Sequence, residues 1–352
     1  MVPSAAPAPM PVISRHAPAF AAGGEDPPSW ANDADYGTHW RSGRVPAWLA
    51  YDLSDAPAER RGQVVVAWYN GESAAYDPAA IGRSAPRVPA AYAIEGNPAP
   101  GGADAPGTGW VALDGVTGNT YHSRQHVVDL AGYNWVRLLV TEVGAATGDV
   151  RLNLDVHDAS QGVEDAWIFY GDSITAGAMN ASPIGPTGTF AQLINLWMPS
   201  NFPAQEGGGI GGLRSDDGAR LVDAWLATYS GRYVGLAYGT NDARAGLSPE
   251  AFYANYEAMV RAVVAAGKIP VVPKVPWGSA GYLRARVPAF NAELDRLYAA
   301  HPEIVPGPDF WAYFLERQAL ISRDGVHPTP AGYAAYRQHW ADTMLRRVYR
   351  GE

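Results

Sequence analysis

The chain has 352 residues, which is enough for two domains that each bury a core. Its net charge is −9, and its Lys and Arg residues form no basic run, which argues against nucleic acid and anionic membranes as partners. It has no cysteine, so disulfides, zinc–thiolate sites and a cysteine nucleophile are excluded. No apolar run approaches the roughly 20 residues that span a bilayer, and we therefore expect no membrane insertion.

The first 160 residues indicate an all-β domain behind a leader. Residues 1–24 are rich in Pro and Ala and predict a flexible leader. Over residues 25–160 turn-forming residues separate short β-prone runs, which is typical of a sandwich or jelly roll. The predicted strands are 48–53, 63–69, 124–130, 134–141 and 149–156.

From residue 161 to residue 352 the pattern changes to strands that alternate with helices. This alternation implies an α/β domain with a parallel sheet and helices on both faces. The predicted strands are 166–170, 233–238 and 269–273, and the predicted helices are 249–266, 284–300 and 331–349.

Two motifs in this second domain pair a nucleophile with a base. Ser173 follows strand 166–170 in a Gly-Asp-Ser turn, and ligands of open α/β sheets bind beyond the carboxyl ends of strands. A serine hydroxyl needs a base to remove its proton, and a histidine does so near neutral pH. Asp324 and His327 are three residues apart, so one turn can present the histidine and the carboxylate that orients it. By itself, each motif also fits a plain turn or a structural histidine.

Two further motifs offer donors for a developing oxyanion. Asn241 follows strand 233–238 in Gly-Thr-Asn-Asp, and its side-chain amide can donate a hydrogen bond. The glycine run 207–212 lets a backbone N–H approach a reacting atom closely, and it lacks the pattern of a phosphate-binding loop. An ordinary turn and a flexible surface loop are the alternatives.

The four motifs, in this order, resemble the blocks of the SGNH or GDSL hydrolases over about residues 166–350. The first block reads GDSI rather than GDSL, an exchange of similar bulk. The resemblance implies a three-layer α/β/α fold with a flavodoxin-like sheet, and a carboxylic ester hydrolase that forms an acyl-enzyme and requires no cofactor or catalytic metal. It assigns the catalytic roles to Ser173, Asp324 and His327. It assigns the oxyanion hole to the backbone N–H groups of Ser173 and Gly212 and to Asn241, although the glycine run permits a shift of the second block.

The start of the β domain resembles a second family. Residues 31–53, which begin ANDADYGTHW, are similar to the opening of galactose-binding-like β-sandwich modules. In such modules an Asp-rich turn often holds a structural Ca²⁺, and carboxylates suit that ion. The resemblance therefore implies a calcium site at Asp33 and Asp35, with a turn that needs no metal as the alternative.

A β-sandwich joined to an SGNH domain resembles exported esterases that deacetylate plant polysaccharides such as xylan. We therefore expect an acetylated carbohydrate as the substrate, and a secreted or periplasmic protein whose signal peptide is absent from this chain. A cytoplasmic protein is the alternative. Trp277 and Arg214 are candidates for the pocket lining, and a packed loop tryptophan is the alternative for Trp277.

Other functions are compatible with the same sequence. They are a general short-chain aryl or alkyl esterase, a lipase and an acyltransferase. A carbohydrate-binding protein without activity is disfavoured by the intact set Ser173, Asn241, Asp324 and His327.

Overall fold

The computed structural model describes residues 6–24, 26–70, 87–144 and 148–352. The described chain divides into two compact units. One holds residues 8–163, and the other holds 164–199 and 205–352, while residues 200–204 group with the first unit. The sequence placed the corresponding boundary at 160/161. Among the described residues, no helix combines the length and the apolar character needed to cross a membrane.

The first unit is a β-sandwich of two antiparallel sheets. Its strands are β1 (Ala19–Ala21), β2 (Trp40–Arg41), β3 (Ala47–Asp52), β4 (Gln63–Tyr69), β5 (Pro89–Asn97), β6 (Val111–Val116), β7 (Ser123–Asp129), β8 (Trp135–Val143) and β9 (Arg151–Asp158). The sheets have the orders β1-β3-β8-β5-β6 and β2-β9-β4-β7. Alternate side chains of both sheets meet in one apolar core, in which Leu49 and Leu138 come from one sheet and Trp68 and Leu154 from the other.

The prediction of a flexible leader is wrong for residues 6–24. β1 pairs with β3, Val12 forms a bridge with His157, and Met10 is fully buried. The partners of this segment lie far along the chain, 28 residues away for Ala21 and Leu49 and 145 residues away for Val12 and His157. A composition rich in Pro and Ala cannot reveal pairing at that distance.

The second unit has a parallel sheet with helices on both faces. Its strands are β10 (Ala166–Gly171), β11 (Ala204–Gly209), β12 (Tyr233–Ala237), β13 (Ile269–Lys274) and β14 (Val305–Asp309). Its helices are α1 (Ser173–Met179), α2 (Phe190–Trp197), α3 (Ser215–Leu226), α4 (Thr240–Ala245), α5 (Pro249–Ala265), α6 (Gly281–Ala300), α7 (Phe310–Leu315) and α8 (Pro330–Met344), and a π-helix, Leu345–Arg350, follows α8. The strand order β11-β10-β12-β13-β14 is the flavodoxin-like order, so the predicted fold class is confirmed.

Strand β10 shows how the layers form, because its side chains alternate between the two faces of the sheet. Phe169 lies 5.1 Å from Phe190 of α2 and 5.3 Å from Trp340 of α8, measured between ring centroids. The next residue, Tyr170, stacks on Trp225 of α3 at 4.9 Å. Helices therefore cover both faces of β10, and the unit is a three-layer α/β/α domain.

The topology also determines where a site can form. The chain leaves β10 toward β11 on one side and then returns to β12 on the other, so β10 and β12 flank the switch point of the sheet. Gly171 at the end of β10 pairs with Ala237 at the end of β12. Ligands of open α/β sheets bind at such a switch point. Ser173 follows β10 and Asn241 follows β12, so the fold directs both toward one crevice.

Candidate active site

A chain of hydrogen bonds joins Ser173, His327 and Asp324. Ser173 Oγ lies 2.8 Å from His327 Nε2, and His327 Nδ1 lies 2.6 Å from Asp324 Oδ2. With Nδ1–H donated to the carboxylate, Nε2 is free to accept the serine proton. This is the geometry that a histidine-activated serine nucleophile requires.

The local structure around Ser173 exposes its hydroxyl and its backbone N–H. Ser173 is the first residue of α1, and Asp172 caps this helix by accepting the Ile174 N–H at 2.9 Å. The first N–H groups of a helix have no partner within the helix. In the part of the chain that the structure describes, the Ser173 N–H has no hydrogen-bond acceptor, so it is free to donate to a ligand.

Asp324 Oδ2 binds His327, and the turn before α8 binds the second carboxylate oxygen, Oδ1. Asp324 Oδ1 accepts the Ser322 hydroxyl and the Val326 N–H, both at 2.8 Å, and the His327 N–H at 3.0 Å. Burial acts to raise the pKa of Asp324, but the hydrogen bonds from His327, Val326 and Ser322 hold this pKa well below its ordinary value. The carboxylate therefore stays charged beside the imidazole. Ser322 was not among the predicted site residues, although serine is a common turn residue.

Gly212 lies in the turn that follows β11, and Asn241 of α4 binds the end of this turn at Leu213. The Ile210 N–H donates to Gly171 O at 2.9 Å, which ties this turn to the end of β10. The Asn241 side-chain amide donates to Leu213 O at 3.0 Å, which leaves its second hydrogen for another acceptor. Gly212 has φ +88°, and its N–H has no acceptor among the described residues. All three predicted oxyanion donors thus retain a free N–H.

A buried network of hydrogen bonds is formed at Asp242, the residue that follows Asn241. Asp242 accepts the Ser215 N–H at 3.0 Å and the Ser215 hydroxyl, and Asn255 donates to Ser215 Oγ at 2.9 Å. Burial raises the pKa of Asp242 even though Ser215 hydrogen bonds oppose the shift. The network joins α3, α4 and α5 behind the site. The sequence analysis missed it, because nothing local connects Ser215 with Asp242.

Replacing Asp172 with asparagine is expected to stabilise the fold above about pH 6 and to leave it unchanged at about pH 4. Burial, reinforced by nearby Asp242, raises the native pKa of Asp172 from its usual 3.8 to about 6. Between these values the native state holds a proton that the unfolded state has lost, so stability falls as pH rises, by up to about 3 kcal/mol. Asparagine stays neutral and still caps α1.

Thermal unfolding of wild type and Asp172→Asn, measured from about pH 4 to pH 8, tests this expectation. The difference in Tm should grow as pH rises and then level off. A constant difference would contradict the raised pKa of Asp172.

The other two predicted site residues are Trp277 and Arg214. Trp277 is only 5% exposed and packs in the apolar core of the α/β unit with Phe310 and Ile321. These surroundings agree with the alternative of a packed tryptophan, and a role of Trp277 in the pocket lining stays a prediction. Arg214 precedes α3, and its guanidinium binds Asp216 through two hydrogen bonds of 2.9 and 2.7 Å.

Asp33 and Asp35 accept hydrogen bonds from their own turn. Asp33 accepts the Asp35 N–H at 2.9 Å and the Thr38 hydroxyl at 2.8 Å, and Asp35 accepts the Gly37 N–H at 2.8 Å. The described residues contain no group of three or more His, Cys, Asp or Glu side chains arranged for a metal ion. Hydrogen bonds alone account for the conformation of this turn, and the calcium site stays a prediction.

Comparison with known proteins identifies the class of the second unit. Residues 169–335 match the family model described as GDSL-like Lipase/Acylhydrolase family. The α/β/α domain of this chain therefore belongs to the GDSL-like lipases and acylhydrolases, and the protein is an ester hydrolase. The matched range contains Ser173, Gly212, Asn241, Asp324 and His327.

Several solved structures are similar to part of this chain. The lipase/acylhydrolase from Enterococcus faecalis is 18% identical, with 52% of this chain and 96% of that chain covered and a TM-score of 0.44. The psychrotrophic esterase EstA from Pseudoalteromonas sp. is 17% identical, with coverages of 51% and 97% and a TM-score of 0.44. Chitosan-binding module 1 of a Paenibacillus sp. IK-5 chitosanase/glucanase is 19% identical, with coverages of 42% and 98% and a TM-score of 0.31. A comparison with curated proteins gave no match.

Proposed function

We propose that this ester hydrolase is a serine esterase that releases short acyl groups, chiefly acetyl, from polysaccharides. The observation that carries the proposal is the hydrogen-bonded chain from Ser173 through His327 to Asp324. Such a chain activates a hydroxyl for attack on an acyl carbon, and it needs no cofactor.

In the proposed reaction, Ser173 Oγ attacks the ester carbonyl while His327 Nε2 accepts the hydroxyl proton. The oxyanion receives hydrogen bonds from the Ser173 and Gly212 N–H groups and from the Asn241 amide. The tetrahedral intermediate then collapses, and His327 gives its proton to the leaving alcohol. Water, deprotonated by His327, hydrolyses the acyl-enzyme and restores Ser173. Asp324 stabilises the imidazolium in both halves of the reaction.

Two features support a bulky alcohol as the leaving group. The side chains of His327 and Asp324 are 40% and 49% exposed, so the histidine that protonates the leaving alcohol faces open solvent. A polysaccharide hydroxyl can approach such a site without a deep pocket. In the β-sandwich Trp30 is 39% exposed, and an exposed indole offers an apolar face on which a sugar ring can stack.

Acetate release from acetylated xylan, measured beside cleavage of 4-nitrophenyl acetate and 4-nitrophenyl octanoate, tests the substrate class. We expect acetate from the polysaccharide, fast cleavage of the aryl acetate and slow cleavage of the octanoate. The Ser173→Ala variant is the control for chemical hydrolysis in each assay.

Other outcomes would identify the alternatives. Fast aryl ester cleavage without release from xylan would indicate a general short-chain esterase. Efficient octanoate cleavage would indicate a lipase. Acyl transfer to added glycerol in preference to water would indicate an acyltransferase. Each of these results would overturn the polysaccharide proposal while leaving the serine mechanism in place.

A further inference from the structure

A buried arginine without an acidic partner lies beside the helix of the nucleophile. Arg337 on α8 is fully buried, and among the described residues no carboxylate forms an ion pair with it. Within the described chain, its guanidinium donates only to uncharged oxygens. These are Gly188 O (3.1 Å), Ala178 O (3.2 Å), Ile184 O (2.8 Å), Tyr333 O (3.4 Å), Thr187 O (3.1 Å) and Thr187 Oγ1 (2.9 Å).

Burial of a charged side chain without a counter-ion costs free energy. A buried charge without a counter-ion loses its hydration, and this burial lowers the pKa of Arg337 to about 10. The side chain still remains charged at neutral pH. The five N–H donors of a guanidinium lie in one rigid plane, so together they can fix several carbonyl groups relative to one another.

Apart from Tyr333 O, which lies on α8 itself, the carbonyls that Arg337 binds belong to the helix of the nucleophile and to the loop that follows it. Ala178 lies in α1, which starts at Ser173, and residues 184–188 continue from that helix toward α2. Arg337 itself lies on α8, which starts three residues after His327. The guanidinium therefore connects the element that carries the nucleophile with the element that follows the base.

The same two helices approach closely at a glycine. A Cβ placed on Gly177 of α1 would lie 2.6 Å from the ring of Tyr333 on α8, and that ring is 6% exposed. One residue later, Ala178 O accepts the Arg337 hydrogen bond. The contact at Gly177 and the hydrogen bond at Ala178 are two separate restraints on the distance between α1 and α8.

We propose that Arg337 is a positioning residue that keeps α1 against α8 and thereby sets the 2.8 Å contact between Ser173 Oγ and His327 Nε2. The inference rests on the proposed serine mechanism. A displacement of about 1 Å between reacting groups can cost about 10²-fold in rate, so a restraint one to two helical turns away affects catalysis without touching substrate.

Steady-state kinetics of Arg337→Met with 4-nitrophenyl acetate, on protein shown to be folded by near-ultraviolet circular dichroism, tests this role. We expect kcat to fall about 10²-fold with KM little changed, because the change affects the chemical step and not ground-state binding. Phosphorylation of Ser173 by diethyl 4-nitrophenyl phosphate, which releases 4-nitrophenolate, should slow in parallel. Arg337→Lys should recover part of the rate, since lysine retains a charge and three donors.

Arg347→Met is the matched control. Arg347 follows α8 and donates to Pro306 O at 2.7 Å, so its loss removes a guanidinium that binds a carbonyl of β14 and not one of α1. We expect its kcat to equal that of wild type. Gly177→Ala forces α1 and α8 apart at the other restraint and should lower kcat like Arg337→Met, which keeps the test decisive if Arg337→Met does not fold.

Two results would contradict the positioning role of Arg337. If folded Arg337 variants and Gly177→Ala keep the wild-type kcat and the wild-type rate of Ser173 phosphorylation, Arg337 only stabilises the fold and the inference is wrong. If wild type itself shows no phosphorylation of Ser173 by this reagent, the proposed mechanism fails first, and the role of Arg337 fails with it.

Discussion

Replacing Ser173 with alanine is expected to lower kcat for 4-nitrophenyl acetate by about 10⁴–10⁶ while the chain stays folded. The hydroxyl is the only group that can form the acyl-enzyme in the proposed mechanism, and His327 Nε2 is the one partner that the structure gives it among the described residues. The backbone N–H of residue 173 and Asn241 remain, so weak rate enhancement from oxyanion binding should survive. Steady-state kinetics and labelling by a fluorophosphonate measure the loss.

The fold should tolerate this change, because alanine is a good helix former and Asp172 still caps α1. A thermal unfolding curve close to that of wild type is the control. Activity within tenfold of wild type, in protein free of wild-type enzyme, would show that another group is the nucleophile.

The site could be predicted from the sequence because its reactive residues follow strands. Ser173 comes directly after β10 and Asn241 directly after β12, and strands 166–170 and 233–238 were apparent as short apolar runs. The carboxyl ends of parallel strands meet at one edge of a sheet, so local pattern and topology together bring these residues close. Asp324 and His327 lie within one turn, where spacing alone determines proximity.

Strands β11 and β14 could not be recognised, because their composition is that of loops. β11 contains three glycines, and the reason is packing: a Cβ on Gly209 would lie 2.3 Å from the backbone nitrogen of Ala176 in α1. β14 contains Pro306 and Pro308, which an edge strand tolerates since its outer side needs no N–H donors. Both departures from strand composition follow from tertiary contacts that a single sequence does not display.

The restraints around the site were also beyond sequence analysis. Arg337 reads as an ordinary helix residue, and only the fold shows that its guanidinium meets carbonyls about 150 residues earlier in the chain. Ser215 and Asp242 also bind each other although they lie on different helices, α3 and α4. Polar groups that form hydrogen bonds between different helices or loops leave no periodic pattern in the sequence, whereas the apolar faces of strands and helices do.

Asp324 offers an unusually specific test of the histidine tautomer. Three donors converge on its Oδ1, namely the Ser322 hydroxyl and the N–H groups of Val326 and His327. In Asp324→Asn these donors should hold the amide oxygen in the Oδ1 position, which turns the NH₂ group toward His327 Nδ1. That nitrogen must then accept, so the proton moves to Nε2, where it blocks removal of the Ser173 proton.

We therefore expect Asp324→Asn to lower kcat by about 10⁴-fold with KM and Tm little changed. Steady-state kinetics near neutral pH measure the loss. Ser322→Ala is the matched control, because it removes one donor to Oδ1 and leaves the carboxylate, and its kcat should stay within about tenfold of wild type. If Asp324→Asn retained comparable activity, a group other than Asp324 would orient His327. The hydrogen bond of 2.6 Å would then have a structural role only.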